Sequence, residues 1–142
     1  MGIAKFISPN NGKGEILSYS NSKYGYANIG QSFTDDKYFW SRPSAVGYNA
    51  TGSGASNKGP SNPDYLKTIS ANVDTFIMKN PDIKKEDIPS ESVTASGSGL
   101  DPDISPNAAL MQVSRIANAR KISEGMIIAL NITADKIALS GE

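Results

Sequence analysis

Cysteine and histidine are both absent from this 142-residue chain. Without cysteine there can be no disulfide, no thiolate metal ligand and no Cys–His nucleophile pair. Without histidine there is no imidazole ligand, no Ser–His pair and no side chain with an ordinary pKa near neutrality. Catalysis would have to rely on carboxylates or a Ser–Lys pair, so we expect no catalytic residue in this chain.

Long apolar runs and an excess of one charge are missing as well. No stretch approaches the roughly 20 apolar residues of a membrane span, and Met1–Ile7 is too short for the apolar part of a signal peptide. Lysine and arginine together number 14, as do aspartate and glutamate. A chain with no net charge and no basic stripe has no general attraction to nucleic acid, so we expect no such partner.

The residue pattern predicts an α+β (mixed α/β) fold in a single domain spanning residues 1–142. A chain of this length buries roughly two thirds of its unfolded surface around one core, so two domains would be cramped. Aromatic and β-branched residues predict a small mixed sheet. Its short strands are expected at Glu15–Tyr19, at Tyr24–Phe33 running into a turn, around Ser92–Ala95 and at the edge, Lys136–Leu139.

About three helices are predicted from capping residues and apolar spacing. Asn62-Pro63 is typical of a helix start, and apolar residues recur at helical spacing from there until Asn80-Pro81. Ser105-Pro106 repeats this arrangement for a second helix that ends near Arg120-Lys121. Ser123 can cap a short third helix, so strands and helices intermix along the chain.

Two blocks rich in glycine, serine, proline and asparagine separate these elements, at Tyr38–Pro63 and at Val93–Ala109. A flexible linker of this composition would lack the aromatic triplet Tyr38-Phe39-Trp40 that begins the first block. Arg42 is expected to tether the fold internally through its planar guanidinium. We therefore predict that both blocks are shaped loops.

The second block also carries candidate nucleotide contacts, namely Ser96, Gly97, Ser98 and Gly99. Backbone N–H groups ahead of a helix start attract phosphate. The Walker pattern is nevertheless absent, and Pro102 stands where a dinucleotide fingerprint needs its third glycine. The alternative interpretation of these glycines is a turn that requires positive φ.

Asp101 and Asp103 lie two residues apart, as calcium-binding oxygens can. No ligand follows at the closing position of an EF-hand loop. The simpler interpretation is a turn that also supplies a negative partner for the dipole of the following helix. We therefore predict no metal site.

Several ordered motifs resemble the KdpC family, a small subunit of potassium-transporting ATPases. They are Gly30–Phe33, Tyr38–Ala45, Ser56–Pro63, Val93–Pro102 and Ile104–Pro106, followed by Gln112, Arg115, Ala117 and Arg120 at positions that fit the next helix. The resemblance covers the chain from about Gly30 to Arg120. Asp103 departs from it, since the family commonly has histidine there, and Ala55 replaces a frequent glycine.

The resemblance implies a non-catalytic accessory subunit of the high-affinity, ATP-driven potassium import complex. Its implied partners are a pore-forming, potassium-binding subunit and a P-type ATPase catalytic subunit, so ATP and potassium belong to the whole complex and no cofactor to this chain. It also implies a cell-membrane location, with one N-terminal membrane helix and the remaining domain on the extracytoplasmic side. Gly2–Phe6 resembles the end of that helix, so we expect that the anchor has been removed from this chain.

Two roles are compatible with this resemblance: support of pump assembly and stability, and modulation of the affinity for ATP, with Gln112 or the Ser96–Gly99 loop as the contact. An extracytoplasmic domain is separated from cytosolic ATP, which favours assembly. The candidate docking residues are Tyr38, Phe39, Trp40, Arg42, Asn57, Asp101 and Arg115. An alternative from another class is a phosphate- or nucleotide-binding enzyme domain that uses the Ser96–Gly99 loop with Lys58.

Overall fold

An antiparallel hairpin begins the part of the chain that the computed structural model describes, residues 14–19 and 22–132. Strand β1 (Ile16–Tyr19) pairs with strand β2 (Ser22–Tyr26), and Ile16 lies opposite Tyr26. The prediction of two early strands is confirmed, but the second strand ends well before Phe33. A turn follows it, in which the Ile29 amide donates to the Tyr26 carbonyl at 3.2 Å.

Helix α1 (Pro63–Lys79) begins and ends where its capping residues predict. The Asn62 Oδ1 atom accepts hydrogen bonds from the amides of Asp64 and Tyr65. At the other end, the Asn80 side chain donates to the Phe76 carbonyl at 2.9 Å. These contacts satisfy backbone groups that have no partner inside the helix.

Two 3₁₀ helices, Lys85–Asp87 and Ser90–Ser92, follow α1. The strand predicted around Ser92–Ala95 is therefore wrong. The Thr94 amide bonds to the Ser90 carbonyl at 3.0 Å, which curls the chain into a turn. The Val93 carbonyl accepts instead from the Asn72 side chain on α1, at 2.8 Å. The β-branched residues here serve packing on a helix rather than pairing in a sheet.

The helix predicted from Ser105 to Arg120 is split into α2 (Pro106–Leu110) and α3 (Val113–Arg120). The break falls at Met111-Gln112, where the Gln112 amide bonds three residues back, to the Ala109 carbonyl. Helix α4 (Glu124–Ile132) follows, and Ser123 accepts from the Met126 amide at its start, as predicted. The α+β class is thus confirmed, and residues 14–19 and 22–132 contain four α-helices where about three were expected.

Two apolar clusters form the core. One joins α3 to α4, and the loop residue Phe39 packs against it; its buried members are Val113, Ile116, Ala117 and Ile127. The other packs Val73 and Phe76 of α1 against Val93. The first Gly-rich block therefore contributes an aromatic side chain to the core.

Some predictions fall on residues outside those described, among them the edge strand Lys136–Leu139 and the anchor remnant Gly2–Phe6. Within residues 14–19 and 22–132, no helix combines the length and the apolar character that crossing a membrane requires.

Candidate functional site

The two Gly-rich blocks are held together by backbone hydrogen bonds. The Gly54 amide donates to the Ser98 carbonyl at 2.8 Å, and the Ser96 amide donates to the Pro43 carbonyl at 3.1 Å. Just ahead of the first block, the Gly30 amide donates to the Leu100 carbonyl at 2.7 Å. These bonds confirm that the blocks are shaped loops, because each loop is the hydrogen-bonding partner of the other.

Gly99 is the tightest point of this contact. Its φ of +67° belongs to the left-handed region, and a Cβ atom there would lie 2.5 Å from the Val46 Cγ2 atom and 2.8 Å from the Gly54 carbonyl oxygen. Ser44 donates from its hydroxyl to the Gly99 carbonyl and accepts from the Tyr48 amide. The positive-φ interpretation therefore holds for Gly99, whereas Gly97 has open space around it and no positive φ.

The proposed nucleotide loop is largely engaged within the fold. Ser96 is buried, and its amide bonds to Pro43. The Ser98 side chain accepts from the Leu100 amide at 3.1 Å, which stabilises the turn itself. Gly97 faces open space, while Lys58 is exposed.

Arg42 and Asp101 form an ion pair between the blocks, with 3.1 Å between Nη1 and Oδ2. The other Asp101 oxygen accepts from the Asp103 amide at 3.0 Å, so both carboxylate oxygens are bonded and close the predicted turn. The Arg42 carbonyl accepts from the Tyr48 hydroxyl at 2.6 Å. Arg42 therefore tethers the loops internally, as expected, while about a quarter of each charged side chain stays exposed.

Gln112 is the buried polar centre of the domain. Its Oε1 atom accepts from the Trp40 amide and from the Arg115 guanidinium, both at 2.7 Å. Its Nε2 atom donates to the carbonyls of Trp40 and Ala108, both at 3.1 Å. Both donors and both lone pairs of the amide are thus occupied, and the backbone of Trp40 is held on both sides.

Arg115 extends this centre towards the start of the first block. Its Nη1 atom donates to the Asp36 carbonyl at 2.7 Å and to the Tyr38 carbonyl at 3.1 Å, and its Nε donates to the Asn80 side chain. The guanidinium also lies over the Trp40 ring, 4.4 Å from the ring centroid. Burial lowers the pKa of the Arg115 guanidinium from its ordinary value. These contacts make Arg115 an internal clamp on the loop.

The docking candidates therefore differ in exposure. Tyr38 is 40% exposed, and Lys37 and Arg120 lie over its ring. Asn57 is exposed, with a φ of +51°. Phe39 packs on the α3–α4 cluster, and Trp40 and Arg115 are held from within. Tyr38 and Asn57 are thus exposed, whereas Arg42 and Asp101 are about a quarter exposed and paired with each other.

A cleft of about 210 Å³ lies between the first block, α1 and the segment leading into α2. Trp40, Arg42 and Gln112 line it together with Glu91, which is half-buried. The Ser105 hydroxyl donates to Glu91 Oε1, and this hydrogen bond lowers the pKa of the Glu91 carboxyl from its ordinary value. Glu91 thus stays ionised at neutral pH.

Glu91, Ser44 and Tyr48 were not singled out from the sequence. Their partners lie elsewhere in the chain or in a turn without a recognised motif, and Ser105 in particular is 14 residues from Glu91. A serine that caps a helix can be recognised from the residues next to it in the sequence. The carboxylate that accepts a hydrogen bond from its hydroxyl cannot be recognised in this way.

A small helical core with long loops that are hydrogen-bonded to each other defines an α+β domain. The family model for the c chain of the K+-transporting ATPase, KdpC, matches residues 1–140, and the chain belongs to this family.

Named relatives agree with the family match. The chain is 57% identical over 129 residues to the potassium-transporting ATPase KdpC subunit of Flavobacterium psychrophilum, an alignment that covers 91% of this chain and 70% of the relative. It is 55% identical over 129 residues to the KdpC subunit of Flavobacterium johnsoniae, with the same coverage of each chain. The KdpC subunit of Phocaeicola vulgatus is 50% identical over 130 residues, which cover 90% of this chain and 69% of the relative.

Proposed function

We propose that this chain is the non-catalytic accessory subunit of an ATP-driven potassium import complex and that it supports assembly and stability of the pump by docking on the pore-forming subunit. The observation that carries the proposal is the interlocked pair of loops, which presents Tyr38, Asn57 and the Arg42–Asp101 pair on a fixed frame. The chain's membership of the family of the K+-transporting ATPase c chain supports the proposed role in a potassium pump.

A fixed frame favours binding because little conformational entropy remains to be lost when the partner docks. Tyrosine and arginine are also the side chains that most often dominate interface energies. Tyr38 already has its ring flanked by Lys37 and Arg120, which holds the exposed aromatic in place. The loops thus combine rigid support with side chains suited to an interface.

The arrangement of the chain in the membrane is part of the same proposal. In it, residues 1–142 form a single extracytoplasmic domain, one N-terminal helix anchors the full-length protein in the cell membrane, and the P-type ATPase subunit performs the catalysis.

Because the chain has no cysteine, Lys67→Cys on the exposed face of α1 would give the full-length subunit a cysteine at a chosen place. A membrane-impermeant thiol reagent should label it in intact cells; labelling only after lysis would contradict the proposed side.

Direct contact with ATP has less support. Gln112 has both polar atoms engaged within the fold, and Ser96 is buried. A nucleotide at either residue would have to break internal hydrogen bonds. Any effect on ATP affinity is then better explained by assembly of the complex. Saturable amide shifts at Ser96–Gly99 during ATP titration would instead favour the nucleotide-binding alternative.

The docking proposal is tested by recovering the pump through a tagged copy of the full-length subunit. Tyr38→Ala combined with Asn57→Gly should lower recovery of the pore-forming subunit at least tenfold, while the melting temperature of the domain changes little. Glycine is chosen at Asn57 because it accepts the positive φ. Tyr26→Ala, which removes another exposed tyrosine (43%), is the matched control and should recover the pump normally. Equal recovery with all variants would contradict docking through these loops.

A further inference from the structure

The cleft beside the first block combines an apolar wall with polar groups at one side. Phe33, Phe76 and Ile104 supply apolar surface, and Trp40 adds an aromatic ring. Glu91 supplies the charge. With a volume of about 210 Å³, the cleft has room for one long side chain rather than for a folded element.

The charge in the cleft is not balanced. Arg42 also lines it; its guanidinium is paired with Asp101 at 3.1 Å, and its positive charge also helps to lower the pKa of Glu91. Glu91 makes no ion pair with any residue in the described part of the chain. Arg42, Asp101 and Glu91 together carry one net negative charge, and Glu91 is a half-buried carboxylate without an ion-pair partner of its own among the described residues. Such a group favours a cationic partner.

We propose that this cleft receives a lysine or arginine side chain from another subunit of the pump, with its cationic head at Glu91 and its aliphatic stem against Phe33, Phe76 and Ile104. The inference rests on the proposed docking function and names the partner's chemistry. Long basic side chains bury their apolar stem while the charged group at the end keeps polar contacts. The cleft offers apolar surface for such a stem and the Glu91 carboxylate for such a charged group.

Other occupants fit the cleft less well. An anion would meet Glu91, whose charge is maintained by the Ser105 hydrogen bond. A bare metal cation would gain nothing from the apolar wall, because hard cations are bound by oxygen atoms alone. A basic side chain uses both surfaces and can also lie near an aromatic ring.

The first test uses the 142-residue chain and the fluorescence of Trp40, which is its single tryptophan and lines the cleft. Nα-acetyl-arginine amide should change this fluorescence saturably. Nα-acetyl-citrulline amide, its neutral isostere, should bind at least tenfold more weakly. Glu91→Gln, which keeps an acceptor for Ser105, should remove the difference, whereas Glu86→Gln on the exposed 3₁₀ helix should not. Equal binding of the two probes would overturn the inference. The inference would also fail if potassium chloride displaced the bound arginine probe and choline chloride did not.

The second test examines the assembled pump. Glu91→Gln in the full-length tagged subunit should lower recovery of its partners at least tenfold relative to Glu86→Gln, measured at a temperature at which both variants remain folded. If Tyr38→Ala with Asn57→Gly disrupts recovery and Glu91→Gln does not, the cleft inference fails and docking through the loops stands. If neither variant affects recovery, both proposals fail together.

Discussion

Gln112 and Arg115 show how much long-range order two polar side chains can impose. Together they bond the backbone of Asp36, Tyr38 and Trp40, which lie more than 70 residues earlier in the chain. Both are nearly inaccessible to solvent. Inside the protein such bonds are strong, and losing one partner leaves the others unsatisfied. The network therefore fixes the path of the first block more firmly than apolar packing alone would.

Gln112→Leu should lower the free energy of unfolding by about 3 kcal/mol, because it leaves both backbone groups of Trp40 and one Arg115 donor buried without a partner. Denaturant unfolding followed by circular dichroism measures this loss. Asn118→Leu, an exposed position on α3, serves as the control and should change stability by no more than about 0.5 kcal/mol. Equal stability of the two variants would show that the network contributes little.

At the scale of the helices and strands, sequence reasoning succeeded where the signal is local. Asn62-Pro63 and Ser123 correctly marked helix starts, because capping depends on residues within a few positions. The break at Met111-Gln112 and the turn at Ser92–Ala95 were not predicted. Both coincide with bonds to distant partners, Trp40 for Gln112 and Asn72 for Val93.

The same difference between local signals and contacts with distant residues applies to the candidate site. Family motifs located Arg42, Asp101, Gln112 and Arg115, but a motif does not tell whether a side chain faces inward or outward. The direction of each side chain is known only from its solvent exposure in the structure, and Gln112 and Arg115 lie in the interior. Glu91 lay outside every quoted motif, since its role depends on the cleft formed by distant segments.

Asn62→Ala should destabilise the domain by about 1 kcal/mol, because the amides of Asp64 and Tyr65 lose their acceptor at the start of α1. Thermal unfolding of the variant measures the effect. Asn62→Asp keeps the capping oxygen and adds a favourable charge at the helix N-terminus, so it should retain the wild-type stability. A loss of the same size with aspartate would indicate that the side-chain amide, rather than the cap, is what matters.

The Ser105–Glu91 hydrogen bond links the start of α2 to the preceding 3₁₀ helix, and it predicts a pH dependence. The bond lowers the pKa of Glu91 below its ordinary value of 4.5. A carboxylate with a lowered folded-state pKa contributes stability above the unfolded-state value, and that contribution is lost as the pH falls through the folded-state pKa. The stability advantage of the wild type over Glu91→Gln should therefore be present at pH 7 and decrease as the pH falls below 4.5.

Urea unfolding at a series of pH values measures this advantage. Glu86→Gln, which removes an exposed carboxylate of the neighbouring 3₁₀ helix, is measured beside it as the control for the loss of one negative charge. A constant Glu91→Gln difference from pH 7 to pH 3 would mean that the Ser105 contact does not depend on charge.

At the scale of the whole molecule, the two Gly-rich blocks act as one unit although α1 and both 3₁₀ helices intervene between them in the chain. Their contact depends on close backbone approach, and a side chain at Gly99 would place its Cβ atom 2.8 Å from the Gly54 carbonyl oxygen. A glycine- and serine-rich composition is typical of flexible linkers, but in this protein it allows the two loops to pack closely together. The domain thus holds its proposed docking surface by loop-to-loop contact rather than by a large sheet.

Gly99→Ala should destabilise the domain by about 2 kcal/mol or more, because alanine is strained at φ +67° and its Cβ meets Val46 and Gly54. Gly97→Ala is a control within the same loop, since nothing lies within 4 Å of its added Cβ and its φ is not positive. It should stay within about 0.5 kcal/mol of the wild type. Thermal and denaturant unfolding of both variants, measured side by side, decide whether the loops pack as described.

The amides of Gly54 and Ser96 lie in segments without regular secondary structure, yet each donates to a carbonyl of the other loop. Their hydrogens can exchange with deuterated water only after the two loops separate. Separation would also break the Ser44–Gly99 hydrogen bond and the Arg42–Asp101 ion pair, so these amides should exchange slowly. We therefore expect the loops to open slowly, a kinetic property usually associated with helices and sheets.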